Sequence, residues 1–104
     1  MEITPQELKT KLDHGDKITV IDVRQPNEHA ICRLKEAKLI SLPELPNRLG
    51  ELNPEDSIVL YCHHGMRSMQ AALWLQQKGF KNVKSLMGGI DAWAEEIDPS
   101  MGRY

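Results

Sequence analysis

A chain of 104 residues has room for one core, and 40% hydrophobic with 27% charged residues is the mix of an ordinary globular domain. Thirteen Lys and Arg against fifteen Asp and Glu leave a formal charge of -2, so no basic field exists to hold a phosphate backbone. Nucleic acid is thereby excluded as an expected partner. No apolar run approaches membrane-spanning length, and Met1 to Pro5 shows no basic region followed by an apolar segment. The expectation is a single cytoplasmic domain over residues 1–104. Its two cysteines, Cys32 and Cys62, are too few for a disulfide scaffold and fit no C-x-x-C spacing.

Thr4, Pro5 and Glu7 supply an N-cap, a proline in the first turn and a capping-box partner, so a helix is predicted to about Asp13. After a turn at Gly15-Asp16, Ile18 to Val23 is β-branched and nearly continuously apolar, as a strand covered on both faces must be. Pro26-Asn27-Glu28 opens a short helical turn. Lys38 to Ser41 reads as a second strand, interrupted by Pro43 and Pro46, and one short helix is expected around Leu45 to Leu49. Asn53 to Asp56 is a turn before Ser57-Ile58-Val59-Leu60-Tyr61, the clearest buried strand, which ends directly on Cys62. A helical pattern runs from Arg67 to Lys78 and stops at Gly79, with Phe80 folding back onto it. Val83 to Leu86 is a last strand, Gly88-Gly89 a tight turn, and Ile90 to about Glu96 a final helix that Asp98-Pro99-Ser100 ends. Strands alternating with helices predict an α/β sandwich with a mostly parallel sheet of about four to five strands and helices on both faces.

In such sheets, sites form outside the carboxyl ends of the strands. Cys62, His63, His64, Gly65, Met66, Arg67 and Ser68 occupy that place, between a buried strand and the start of a helix. A thiol there faces convergent amide dipoles and a helix N-terminus, which favour its anionic form. Gly65 permits backbone angles closed to other residues, so that successive amides can turn toward one anion. Arg67 and a protonated His63 or His64 add positive charge. The loop is read as an anion cradle built on Cys62.

These features together make the sequence resemble the rhodanese-like superfamily, in which a six-residue loop begins with a catalytic cysteine that carries a persulfide. Here that loop is Cys62 to Arg67. The likeness extends over Asp22-Val23-Arg24, Glu28, the Ala71-Ala72 helix, Gly79-Phe80, and Gly88-Gly89-Ile90 with Trp93. Ile31-Cys32-Arg33-Leu34 and the tail Ile97-Asp98-Pro99-Ser100 are similar to the rhodanese-like domains fused to E1-like adenylyltransferases of molybdopterin, thiamine and tRNA-thiolation pathways. Gly102 departs from the proline usual in those relatives, and the adenylyltransferase domain is absent from this chain.

The resemblance implies a sulfurtransferase or sulfur carrier in which the Cys62 thiolate takes sulfane sulfur from thiosulfate or a protein persulfide and yields it to a second nucleophile. It implies no metal or organic cofactor beyond the transient persulfide. A cysteine desulfurase, a sulfur-carrier protein or a thiol reductant is the implied class of partner. It places Asp22 and Arg24 as a brace beside the active-site region, where Arg24 can pair with Glu28. Two other readings remain at this stage: a non-catalytic interaction module, and a Cys-based phosphatase. The phosphatase needs five residues between Cys and Arg, and this chain has four. Among the remaining residues, Cys32 is expected to fill space, with resolving the persulfide or accepting sulfur as the alternatives, His14 and His29 to lie on the surface, Trp74 and Trp93 to belong to core or lid, and Met66 and Met69 to flank the loop mouth.

Overall fold

The most apolar strands form the middle of the sheet. In the computed structural model, which describes residues 1–104, β1 (Glu2–Ile3), β2 (Thr19–Asp22), β3 (Lys38–Leu39), β4 (Ser57–Tyr61) and β5 (Asn82–Leu86) form one sheet in the order β1-β5-β4-β2-β3. Every pairing is parallel, with Val20 opposite Val59, Ile21 opposite Leu60 and Asp22 opposite Tyr61. β4 lies at the centre, and all its residues after Ser57 are buried. Its side chains alternate between faces, as pleating requires. Ile58 and Leu60, continued by Cys62, join one core cluster, and Val59 and Tyr61 join the other.

The first face is closed by α3 (Met66–Gln77) and a 3₁₀ segment, Leu42–Glu51, through Ala71, Ala72, Leu75 and Leu45. The opposite face is closed by α1 (Pro5–Asp13) and α4 (Gly89–Glu96), which bring Leu8, Ile90 and Trp93. The short α2 (Pro26–Ile31) buries no side chain of its own. Connections from β2 run outward to β3, while those from β4 run the other way to β5. The order therefore reverses between β2 and β4, and their carboxyl ends leave a crevice. No helix is long and apolar enough to cross a membrane.

The helix starts obey local rules. Thr4 Oγ1 accepts from the Glu7 amide at 3.1 Å while Glu7 Oε1 accepts from the Thr4 amide at 2.9 Å, the reciprocal capping box. α3 ends before Gly79, whose φ of +94° turns the chain so that the Phe80 amide donates to the Leu75 carbonyl at 3.1 Å.

Three elements differ from the sequence reading by more than one residue at an end. β1 is an unanticipated two-residue strand, held because the Ser85 and Met87 amides donate to the Met1 and Ile3 carbonyls. The segment expected to hold a short helix at Leu45 to Leu49 is a 3₁₀ run from Leu42, since Pro43 sits in its first turn and Pro46 denies the amide an α-helix needs. The second predicted strand stops at Leu39 rather than Ser41, because its partner β2 ends at Asp22, the residue opposite Leu39.

Candidate active site

Cys62 follows the last residue of β4, and its side chain is 1% exposed, at the base of an open cleft of about 770 Å³. Residues 62–67 line that cleft with Glu2, Met69 and Gln70. The chain turns after Cys62 through Gly65, at φ +110°, and goes directly into α3. That turn brings the Gly65 amide to 3.1 Å and the Ser68 amide to 3.4 Å from Cys62 Sγ, both donating to the sulfur. The Ser68 hydroxyl is 3.5 Å from the sulfur, donates to the Gly65 carbonyl and lies 2.7 Å from the Ser85 hydroxyl.

The amides of Met66 and Arg67, the first two of α3, have no backbone acceptor. Nothing caps them, because Gly65 has no side chain. The expected cradle of amides is thus divided: those of Gly65 and Ser68 already serve the sulfur, and those of His63, His64, Met66 and Arg67 have no backbone acceptor.

The loop is fastened from outside by α4. The Ile90 amide donates to the Cys62 carbonyl at 2.9 Å and the Asp91 amide to the His63 carbonyl at 3.1 Å. This approach explains Gly89, where a Cβ would overlap both carbonyls and where φ is +63°.

The charged residues pair differently from the sequence expectation. Arg24 does not pair with Glu28. It folds back in a fork on Asp22, with Nε 2.8 Å from Oδ1 and Nη2 2.7 Å from Oδ2, and both side chains are fully buried. The i to i+4 spacing of Arg24 and Glu28 has no meaning here, since Arg24 lies at a bend before α2, which begins only at Pro26. Glu28 instead takes Arg67 bidentately, at 2.8 and 2.9 Å. Arg67, expected to face the anion, is therefore held on a carboxylate at the rim. His29, expected on the surface, places Nδ1 2.8 Å from Asp22 Oδ2 and completes that carboxylate's set of partners.

The titrations follow these contacts. Burial alone would raise Asp22, but hydrogen bonds from Arg24 and His29 outweigh it and leave the carboxyl below its ordinary range. Burial, followed by the neighbouring His64, pushes His63 below the usual histidine value. Arg67 holds Glu28 down to about 2 from 4.5. A lowered carboxylate stabilises the fold above its unfolded value and loses that contribution as pH falls through its folded value. The stability gap between the natural chain and Glu28→Gln is accordingly expected to be full above pH 4.5 and to close toward pH 2, read from thermal midpoints across an acid series.

Two participants escaped the sequence reading. Ser85 is fully buried in β5, and a polar residue on the inward side of a strand was its available signal. Tyr104 stacks on the His63 ring at 3.9 Å between centroids and places its hydroxyl between Arg24 and Glu28. No local pattern marks it.

Comparison with known proteins matches the family model "Rhodanese-like domain" to residues 4–96, a span that contains Cys62 and its loop. The chain belongs to the rhodanese-like family. As a rhodanese-like domain, it is 34% identical over 93 residues to a sulfurtransferase of Allochromatium vinosum, covering 89% of this chain and 87% of that protein. It is 41% identical to the probable adenylyltransferase/sulfurtransferase MoeZ of Mycobacterium tuberculosis, over 98% of this chain and 26% of that protein. Among solved structures, a rhodanese-like domain protein from Staphylococcus aureus superposes with a TM-score of 0.86 at 30% identity, covering 100% of this chain and 99% of the other. The chain spans 37% and 26% of the lengths of the first curated relatives it matches.

Proposed function

We propose that this rhodanese-like domain is a sulfurtransferase or sulfur carrier that works through a persulfide on Cys62. The observation that carries the reading is the surroundings of one sulfur: two amides donate to Cys62 Sγ, and the unpartnered amides of Met66 and Arg67 open the adjoining helix. In the first step the Cys62 thiolate attacks the sulfane sulfur of thiosulfate. A Cys62 S–S bond forms, the donor's S–S bond breaks, and sulfite leaves with the electron pair. A persulfide extends the side chain by one atom at about 2 Å, and its terminal anion meets donors already fixed in place, as an oxyanion meets amides elsewhere. In the second step a thiolate or other thiophilic nucleophile takes that sulfur, and Cys62 departs as a thiolate. The cycle uses no metal or organic cofactor.

The relatives' names support the class: a sulfurtransferase in Allochromatium vinosum and a putative sulfur carrier protein, YrkF, in Bacillus subtilis. A cysteine desulfurase as donor and a sulfur-carrier protein or thiol reductant as acceptor fit the open cleft, and a reducing cytoplasm suits its free thiols. The phosphatase reading loses ground twice: four residues separate Cys62 from Arg67, and that guanidinium is spent on Glu28.

Intact mass of the non-reduced protein before and after thiosulfate tests the proposal. A gain of about 32 Da on the Cys62 peptide, equal in the natural chain and in Cys32→Ala, is the expected result. Cys32 and Cys62 belong to core clusters on opposite faces of the sheet, so Cys32 is a packing residue and its loss leaves loading intact. A chain that gains no sulfur from thiosulfate or from a desulfurase supplied with cysteine overturns the reading in favour of a binding module.

A further inference from the structure

The residues after α4 return to the active-site loop. Met101 packs against the apolar face that contains Trp93, and Arg103 donates twice to Asp91 Oδ1, at 3.0 and 2.8 Å. Asp91 is the residue whose amide holds the His63 carbonyl, so this tail is moored to the same turn of α4 that fastens the loop. Tyr104 then lies flat on the His63 ring at 14°, and His63 in turn stacks on His64 at 3.9 Å. Three rings therefore form one pile at the edge of the cleft.

The hydroxyl of Tyr104 does something separate. It accepts from Arg24 Nη1 at 3.0 Å and donates to Glu28 Oε2 at 2.8 Å. One oxygen thus bridges the buried Asp22–Arg24 pair and the rim pair Glu28–Arg67, with a charged partner on each side, where hydrogen bonds are strongest. Arg24 is fully buried, and its Nη1 has otherwise only Cys32 Sγ at 3.8 Å, a weak acceptor. Without the hydroxyl that donor is stranded, and the carboxylate that holds Arg67 is tied to the rest of the fold through α2 alone.

We propose that Tyr104 is a positioning residue of the sulfur-transfer site: its hydroxyl locks the Glu28–Arg67 pair to Arg24, and its ring fixes the His63 side of the loop. The inference rests on the sulfur-transfer reading above. Arg67 contributes one of the open amides, so freedom in its side-chain anchor is freedom in the cradle. Tyr104 touches neither donor nor sulfur and acts only through residues that do.

The test compares Tyr104→Phe, Tyr104→Leu and, as a control for general destabilisation, Leu12→Ala. Leu12 lies on α1 and packs on the face of the sheet opposite that of Cys62. Each full-length protein is loaded with saturating thiosulfate in single turnover, well below its thermal midpoint, and the His63 ring protons are followed by NMR. Tyr104→Phe keeps the stack and loses the bridge, so loading should slow about threefold to tenfold with the His63 protons unmoved. Tyr104→Leu should slow at least as much and shift the His63 protons downfield as the shielding ring disappears. Leu12→Ala should load at the natural rate. Unchanged loading in both Tyr104 variants, equal slowing in Leu12→Ala, or unshifted His63 protons in Tyr104→Leu overturns the proposal. A natural chain that never loads overturns the sulfur-transfer reading and Tyr104's part in it, whereas loading indifferent to Tyr104 overturns the positioning role alone.

Discussion

Cys62→Ser is expected to reduce sulfur loading by at least about a thousandfold while leaving the fold intact. The sulfur is fully buried and makes its bonds as an acceptor from the Gly65 and Ser68 amides, and a serine oxygen can accept from the same donors. The cavity left by exchanging sulfur for oxygen is smaller than a methylene, so the thermal midpoint should move by only a few degrees. What disappears is the nucleophile: an alkoxide is not accessible at neutral pH, and no base stands within hydrogen-bond reach of Sγ to generate one. The neighbouring hydroxyls of Ser68 and Ser85 form a neutral chain, without a histidine or carboxylate at its end. Loading by thiosulfate, followed by intact mass and by release of sulfite, measures the loss. Serine that loads at more than a hundredth of the natural rate would place the chemistry on another atom.

The sheet was legible in the sequence wherever burial on both faces forced a run of apolar, β-branched residues. Ser57 to Tyr61 is the clearest case, because a central parallel strand has no solvent side on which to place polar residues. β1 was not legible, since two residues make no period and what holds Glu2 and Ile3 is the edge of β5, more than eighty positions along the chain. The helix starts could be read because Thr4 and Glu7 act on each other at a spacing of three, and Gly88-Gly89 because its two residues need positive φ.

The site divides along the same line. Cys62 and Gly65 declare themselves by position, at the end of a strand and the start of a helix. The ion pairs do not. The resemblance implies a pairing of Arg24 with Glu28, whereas the fold pairs Arg24 with Asp22 two residues back and brings Arg67 across 39 positions to Glu28. The second pair joins the segments that follow β2 and β4, which meet only after the sheet has formed. Tyr104 is the extreme example, 76 positions from Glu28 and 80 from Arg24.

The brace beneath the site predicts the largest loss of stability. Arg24 carries a charge into complete burial and is accommodated there by the two Asp22 oxygens, the Cys32 carbonyl and the Tyr104 hydroxyl. Asp22 draws its charge partner from Arg24, with the Arg24 amide and His29 as its other donors. Arg24→Met removes the cation and strands a fully buried carboxylate, which should cost about 3–5 kcal/mol, a large part of the stability of a domain this size. That corresponds to a fall in thermal midpoint of roughly 12–40 °C. Asp22→Asn/Arg24→Met removes both charges, yet the Asn carbonyl still accepts from the Arg24-position amide, so the double variant should be clearly more stable than Arg24→Met alone. That ordering separates charge burial from lost packing: if packing of the long Arg24 stem were the main contribution, the second substitution would add to the damage. Thermal unfolding of the single variants and the double variant, read as a double-mutant cycle, gives the sign of the coupling.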